Sequence, residues 1–493
     1  MEQLSPIMLA GTGSDVGKSL IATGLCRIFR QDGYNPAPFK AQNMALNSYA
    51  TPDGFEIGRA QAVQAEAAGI ACSTDMNPIL LKPSGEHTSQ VVINGRPAGN
   101  RDSYSYFRKE GREELRKVVH NAFDRLSQRF NPIVMEGAGS IAEINLRDSD
   151  LVNMSMARHA DADVILVADI DRGGVFASAY GSIMLQSEDD RRRIKGIIVN
   201  KFRGDMRLFE SGRRMMEEIC GVPVIGVVPY AGDIHIEEED SVALGLKATK
   251  SVTDKVNVAV VLLRHISNFT DFNVLERNPG VNLFYTDNPD ALLSADIVII
   301  PGSKSTLSDL SELRRNGLAK AIVSARDNGK TVIGICGGYQ IMGIEVSDPD
   351  GIEGSLRSLP GLGLLPVKTV LSGSKVTRQV SFSFLGENKP CNGYEIHMGR
   401  TETEGKATSL NTILDDGTAD GCFVDDRCFG SYIHGLLDNE TVVSYLISPY
   451  LKEKRNEKFD YTAYKEEQYD LLADHLRKHI DIDKLYKIMK HHD

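Results

Sequence analysis

No stretch of this 493-residue chain approaches the roughly 18 consecutive apolar residues of a membrane span. The opening residues, Met1-Glu2-Gln3-Leu4-Ser5-Pro6, lack the basic region and apolar segment of a secretory signal. Basic charge is scarce as well: 56 Lys and Arg stand against 67 Asp and Glu, a formal charge of −11. Sequence-independent nucleic-acid binding works by neutralising phosphates, so no nucleic-acid partner is expected. The short run Arg191-Arg192-Arg193 reads as a solvated helix end. Seven cysteines, an odd number spread from Cys26 to Cys428, form no C-x-x-C pair and have no matching His cluster. That argues against a disulfide framework and against a zinc site. Repeats and low-complexity segments are absent too. The expected location is cytoplasmic, and nothing indicates an oligomeric state.

What is present is ordinary globular material, 41% hydrophobic and 25% charged, in a chain too long for one hydrophobic core. Apolar, β-branched runs ending near glycine recur: Ile7–Ala10, Ile133–Met135, Val164–Val167, Ile197–Val199 and Val224–Val228. Amphipathic stretches separate most of them, which predicts an α/β fold, a doubly wound parallel sheet with helices on both faces. The pattern stops after Tyr230. A charged stretch then precedes a second α/β series, Val258–Leu263, Ile297–Ile300 and Val332–Ile335. From about Gly363 to Gly430 the strands read as shorter, alternating and punctuated by glycine. Near the end, Tyr469, Leu472, Leu476 and Ile480 recur at helical spacing and make one apolar face. The expected division is 1–235, a linker over 236–255, a second domain over 256–445, and a helical tail over 446–493.

Gly11-Thr12-Gly13-Ser14-Asp15-Val16-Gly17-Lys18-Ser19 follows the first strand and opens a helix. Glycines let backbone N–H groups approach phosphates, and the helix N-terminus supplies positive charge. In such a loop Lys18 reaches the β- and γ-phosphates of ATP, and the Ser19 hydroxyl ligates Mg²⁺. The strict pattern asks for glycine where Thr12 stands. That departure resembles the loop of dethiobiotin synthetase-like ATPases, which phosphorylate carboxylates. Met135-Glu136-Gly137-Ala138-Gly139 resembles a turn of the same group, implying Glu136 as a second Mg²⁺ ligand. Asn200, ahead of Lys201, resembles the position where related ATPases hold the base.

Gly334-Ile335-Cys336-Gly337-Gly338-Tyr339-Gln340 places a cysteine on a tight strand-to-helix turn. An exposed thiol at a helix N-terminus is a candidate nucleophile, and the Gly337 N–H a candidate oxyanion donor. Pro301-Gly302-Ser303-Lys304 resembles the oxyanion loop of class I glutamine amidotransferases, with Gly302 as a second donor and Gln340 in the glutamine pocket. His434, in Tyr432-Ile433-His434-Gly435, is the favoured base, and His397 its rival. Many members of that class carry a Glu two residues after the histidine, but Leu436 stands there. Another group then orients the histidine, with Asp438 and Glu440 as candidates, or the site works as a dyad.

Pro38-Phe39-Lys40-Ala41-Gln42-Asn43-Met44-Ala45-Leu46-Asn47-Ser48 and Glu56-Ile57-Gly58-Arg59-Ala60-Gln61 are the discriminating segments. With Leu81-Lys82-Pro83, Ser89-Gln90-Val91-Val92, Ile266–Phe272 and Tyr394–Arg400, they closely resemble the cobyric acid synthase family of cobalamin biosynthesis. The resemblance implies an ATP-activating domain fused to a class I glutamine amidotransferase domain, a carbon–nitrogen ligase. It would amidate the b, d, e and g carboxylates of adenosylcobyrinic acid a,c-diamide, using glutamine and a corrinoid polycarboxylate as substrates. It also implies that Lys40, Asn43, Asn47, Glu56, Arg59 and Gln61 lie near the acyl phosphate or the corrin. Rival readings are the same chemistry on another carboxylate, at the a,c-diamide stage or in the cell wall. A non-catalytic phosphate-loop ATPase of the partitioning type and a glutaminase-like interaction module complete the alternatives.

Overall fold

A computed structural model describes residues 2–83, 88–102, 106, 112–237, 250–451 and 459–490. The chain forms two compact units that do not follow sequence order. The first comprises Met1–Met44, Ile57–Glu237 and Thr462–Asp493; the second comprises Ala45–Glu56 and Glu238–Tyr461. Most of the expected linker, residues 238–249, lies outside the described residues. Within the anticipated tail, 446–493, the helices Tyr461–His479 and Ile482–Met489 pack in the first unit from Thr462 onward, while residues 446–451 belong to the second. No helix among the described residues is long and apolar enough to cross a membrane.

The first unit is built on a six-stranded sheet. Its order is Val224–Pro229, Ile194–Phe202, Asp163–Asp169, Ile7–Gly11, Ile133–Glu136 and Ala37–Phe39, every pair parallel. Asp163–Asp169 is buried along its whole length, as an apolar run covered on both faces must be. Helix Lys18–Gln31 packs Ile21, Leu25, Ile28 and Phe29 against Leu9 and Ile198. The same cluster takes in Leu472, Leu476, Ile480, Leu485 and Met489. The apolar stripe read near the end of the sequence therefore fills the core of the unit that opens it.

In the second unit another six-stranded sheet runs Val281–Thr286, Val256–Val261, Ile297–Ile300, Thr331–Ile335, Cys428–Ser431 and Cys422–Asp425. Its pairs are parallel except the last, which is an antiparallel edge. The region expected to hold short strands contains two long antiparallel ones, Val367–Phe384 and Cys391–Thr403. A register shift between Leu371 and Val376 lets the pair continue past Gly373, where glycine punctuation alone suggested an end.

Candidate functional site

In the first unit, strands Ile7–Gly11 and Ile133–Glu136 lie side by side, so the loop Gly11–Ser19 and Glu136 share a carboxyl edge. That is where open α/β sheets bind ligands. The loop enters its helix through Gly17, at φ 93°, a left-handed value that side chains resist. The Lys18 ammonium donates to the carbonyls of Gly13 and Gly139, each at 3.1 Å. The Ser19 hydroxyl donates to Glu136 Oε1 at 2.8 Å, and Lys40 Nζ donates to the same oxygen at 2.9 Å. Gln64 donates to the other carboxylate oxygen at 3.0 Å.

Glu136 is 2% exposed. Burial alone would raise its pKa, but Lys40 and Lys18 hold the carboxyl below its usual value. Lys18 is pushed down to about 8 by burial, against the pull of Glu136 and with a further push from Lys40. A hydroxyl, an ionised carboxylate and two buried cationic side chains thus converge on one loop. Mg²⁺ in nucleotide sites takes few protein oxygens and fills its shell with phosphate and water. The Ser19 and Glu136 oxygens fit that demand.

Thr12 closes the loop onto the sheet by donating its N–H to Val167 O at 3.0 Å, while Ser14 is exposed. Asn200 is buried beneath the loop, where its amide donates to Val16 O at 2.8 Å. Asn43 donates to Gln61 Oε1 at 3.1 Å. Gln61 is fully buried, and among the described residues its Nε2 has no hydrogen-bond partner. Arg59 forms an ion pair with Glu237 at 2.6 Å. Asn47 and Glu56 fall instead in the second unit, where Glu56 pairs with Lys375. Gln64 escaped the sequence reading, although it follows Gln61 by three residues on helix Arg59–Ala68 and so shares its face.

In the second unit, strand Thr331–Ile335 leads through Cys336 into helix Gly337–Met342. Cys336 adopts φ 51°, a conformation that costs a non-glycine residue free energy and turns the chain sharply. Gly338 makes that turn possible: a Cβ there would lie 1.9 Å from Ile300 O. A Cβ on Gly337 would lie 2.7 Å from Ser303 N, which puts the two predicted oxyanion segments against each other. Strand Gly302–Ser303 pairs antiparallel with Ile266–Ser267, and a Cβ on Gly302 would meet His434 Cε1 at 3.5 Å.

His434 follows the strand Cys428–Ser431, which neighbours Thr331–Ile335, and it is 1% exposed. Its Nδ1 bonds Asp271 Oδ2 at 2.7 Å, and Asp271 Oδ1 accepts the Gly435 N–H at 3.1 Å. A carboxylate on Nδ1 places the proton there. Burial would lower the His434 pKa, but Asp271 first and the Cys336 sulfur after it outweigh burial and raise it to about 10. The orienting acid is therefore neither Asp438 nor Glu440, and the site is not a dyad; Glu440 pairs with Lys389 at 3.0 Å. Sequence proximity to the histidine misdirected that expectation, because the fold supplies the carboxylate from a turn 163 positions earlier. Asp271 lay within the quoted segment Ile266–Phe272, the one signal that could have found it. The rival His397 stacks on Tyr432 with ring centroids 3.8 Å apart, and its Nδ1 bonds Gly399 O at 2.8 Å. Gln340 is buried, donating to Tyr432 Oη at 3.2 Å and accepting from Thr306 at 3.1 Å.

Replacing Asp271 with asparagine should lower kcat for glutamine hydrolysis by about 10²-fold and drop the His434 pKa from about 10 towards its ordinary value. The sign follows from linkage: a raised folded pKa stabilises fully below the unfolded value near 6.5 and ceases to as pH climbs through about 10. NMR titration of the ring, with the pH profile of ammonia release, checks both. An unmoved titration would remove Asp271 from this role.

Comparison with known proteins agrees with this two-site arrangement. Residues 7–242 match the family model of the CobQ/CobB/MinD/ParA nucleotide binding domain. Residues 257–442 match that of the CobB/CobQ-like glutamine amidotransferase domain. A cobyric acid synthase of Bacteroides fragilis is 67% identical over 494 aligned residues, covering 100% of both chains. One from Phocaeicola vulgatus is 66% identical with the same coverage. One from Salmonella agona is 48% identical, covering 99% of this chain and 98% of its own.

Proposed function

The chain belongs to the cobyric acid synthase family, and from that premise we propose that it amidates four corrin carboxylates in turn, with ATP and glutamine. The observation that carries this reading is the presence in one chain of a Cys336–His434–Asp271 site and a phosphate loop whose Ser19 meets Glu136.

At the glutamine site the Cys336 sulfur attacks the carboxamide carbon, forming a glutamyl thioester. His434, held by Asp271, delivers a proton to the departing ammonia and then activates the water that cleaves the thioester. Backbone N–H groups of Gly337 and of the Gly302–Ser303 strand face the developing oxyanion. The second half-reaction starts from a carboxylate, a poor electrophile until a phosphoryl group turns one oxygen into a leaving group. The work of the chain there is placement and charge. Lys18 and Lys40 supply cationic side chains, and the glycines of the loop supply close backbone. Asn200 supports the loop from below, and its contact with the base belongs to this proposal. Mg²⁺, held by Ser19 and Glu136, would neutralise phosphate charge. The Gln61 Nε2, which has no hydrogen-bond partner among the described residues, supports a polar acceptor beside Asn43, since buried donors in folded proteins find partners.

The acceptor in this reading is adenosylcobyrinic acid a,c-diamide, amidated at b, d, e and g to give adenosylcobyric acid. Incubation with ATP, Mg²⁺, glutamine and a panel of corrinoid acids tests it by mass spectrometry. The a,c-diamide should lose about one mass unit per amide, in roughly four steps. Amidation of the a or c position instead, or no mass change on any corrinoid acid, would overturn the assignment.

A further inference from the structure

His434 has two supports, and residues from the N-terminal part of the sequence hold both. One is the turn that carries Asp271. Asn268 sits in that turn at φ 52°, and its Oδ1 accepts the Ser48 N–H at 3.0 Å. In return, Asn47 Oδ1 accepts the Phe269 N–H at 3.3 Å. Each asparagine thus grips the backbone beside the other, and Asp271 N closes the turn on Asn268 O at 3.1 Å. The other support is Tyr394. Its ring stacks on His434 with centroids 5.3 Å apart and planes 25° apart, and the two backbones exchange hydrogen bonds of 2.8 and 3.0 Å. Tyr394 Oη donates to Ser48 O at 3.3 Å, and Tyr49 packs edge-on against the Tyr394 ring at 4.7 Å. Gln379 fastens the end of the segment by donating to Ala50 O at 3.0 Å. Asn47, Ser48, Asn268, Asp271, Tyr394 and His434 are all buried, so water cannot replace these bonds without opening the unit.

We infer that Asn47 and Ser48 are positioning residues for glutamine hydrolysis, acting through Asn268, Asp271 and Tyr394 to hold the His434 ring in line with Cys336. They touch neither the histidine nor the sulfur. Their effect is on the angle and distance at which the imidazole delivers its proton, quantities to which rates respond steeply. The segment leaves the first unit after Met44 and rejoins it at Ile57, between the stretches that carry Lys40 and Asn43 and those that carry Arg59 and Gln61. The inference rests on Cys336 and His434 being the glutaminase pair.

The test uses the full chain, with ammonia release from glutamine as the assay. Asn47→Ala should lower kcat by about tenfold, with KM changed less than about twofold. It should also move the alkaline limb of kcat/KM to lower pH, because a looser Asp271 holds the imidazolium less well. Asn47→Asp keeps an acceptor oxygen for the Phe269 N–H and should restore kcat. Asn268→Gly keeps the left-handed turn without strain but removes the acceptor for Ser48, and should reproduce the Asn47→Ala defect. The ratio of glutamine-supported to ammonia-supported amidation should fall in the same proportion. Asn47→Ala and Asn268→Gly with the parent kcat and pH profile would overturn the inference. So would a loss that Asn47→Asp does not restore. Cys336→Ala is the control for the premise: ammonia release that survives it removes the glutaminase pair itself, whatever the asparagine variants do.

Discussion

Cys336→Ala is expected to abolish glutamine-supported amide formation, a loss of at least about 10³-fold, while amidation supported by added ammonia continues. The asymmetry follows from where the sulfur sits. Cys336 lies on an elbow of the second unit, whereas the phosphate loop belongs to the first, and in the proposed reaction it takes no part in activating the acceptor. A smaller side chain at φ 51° relieves nothing and fills less, so the fold should tolerate alanine. Steady-state assays with glutamine and with ammonium salts, run in parallel on one preparation, check the outcome. Failure of ammonia to support turnover would mean that the two half-reactions cannot be separated.

Lys18→Ala is expected to remove both activities, by about 10²- to 10⁴-fold, and to leave ammonia release from glutamine in place. The Lys18 ammonium is buried, and its proton is held less firmly than usual, with a pKa of about 8. A buried cation beside an ionised carboxylate and a second lysine is poised for a more highly charged anion than Glu136 alone. Removing it leaves a phosphoryl group with less neutralised charge just where leaving-group charge develops. Lys18→Arg should not rescue, because the ammonium sits between the carbonyls of Gly13 and Gly139 at 3.1 Å and a planar fork does not fit that space. Acyl-phosphate trapping with hydroxylamine separates loss of activation from loss of ammonia transfer. Full ammonia-supported amidation by Lys18→Ala would exclude the loop from carboxylate activation.

These two residues were readable because their chemistry is local. A lysine after a glycine loop and a cysteine between a strand and paired glycines carry their meaning within about ten residues. Pairings across the chain were legible only in part. Ser19 and Glu136 could be assigned together because each belongs to a recognisable turn, although 117 positions separate them. Asp271 could not be joined to His434, since no linear spacing connects a turn before the nucleophile to a histidine after it. Gln64 was hidden for a different reason: in a helix buried on nearly every side, polar positions show no solvent-facing stripe to stand out against. The two parallel sheets were plain in the apolar runs. The return of the last helices to the first unit was not, because an apolar face announces that it is covered without saying by what.

That return governs how the protein can be made. Leu472, Leu476 and Ile480 complete the same core as Leu9 and Ile28, yet the ribosome delivers them only after residues 238–461. When Glu237 emerges, the nucleotide-binding half still has an unfilled apolar groove. The intervening chain through Tyr461 takes about ten to forty-five seconds to synthesise at roughly 5–20 residues per second. Through that interval the first half lacks the apolar side chains that complete its core. Meanwhile Ala45–Glu56, already made, awaits the partner half it will join. Scission between Glu237 and Glu238 would not release two enzymes; each fragment would carry away a piece of the other's interior.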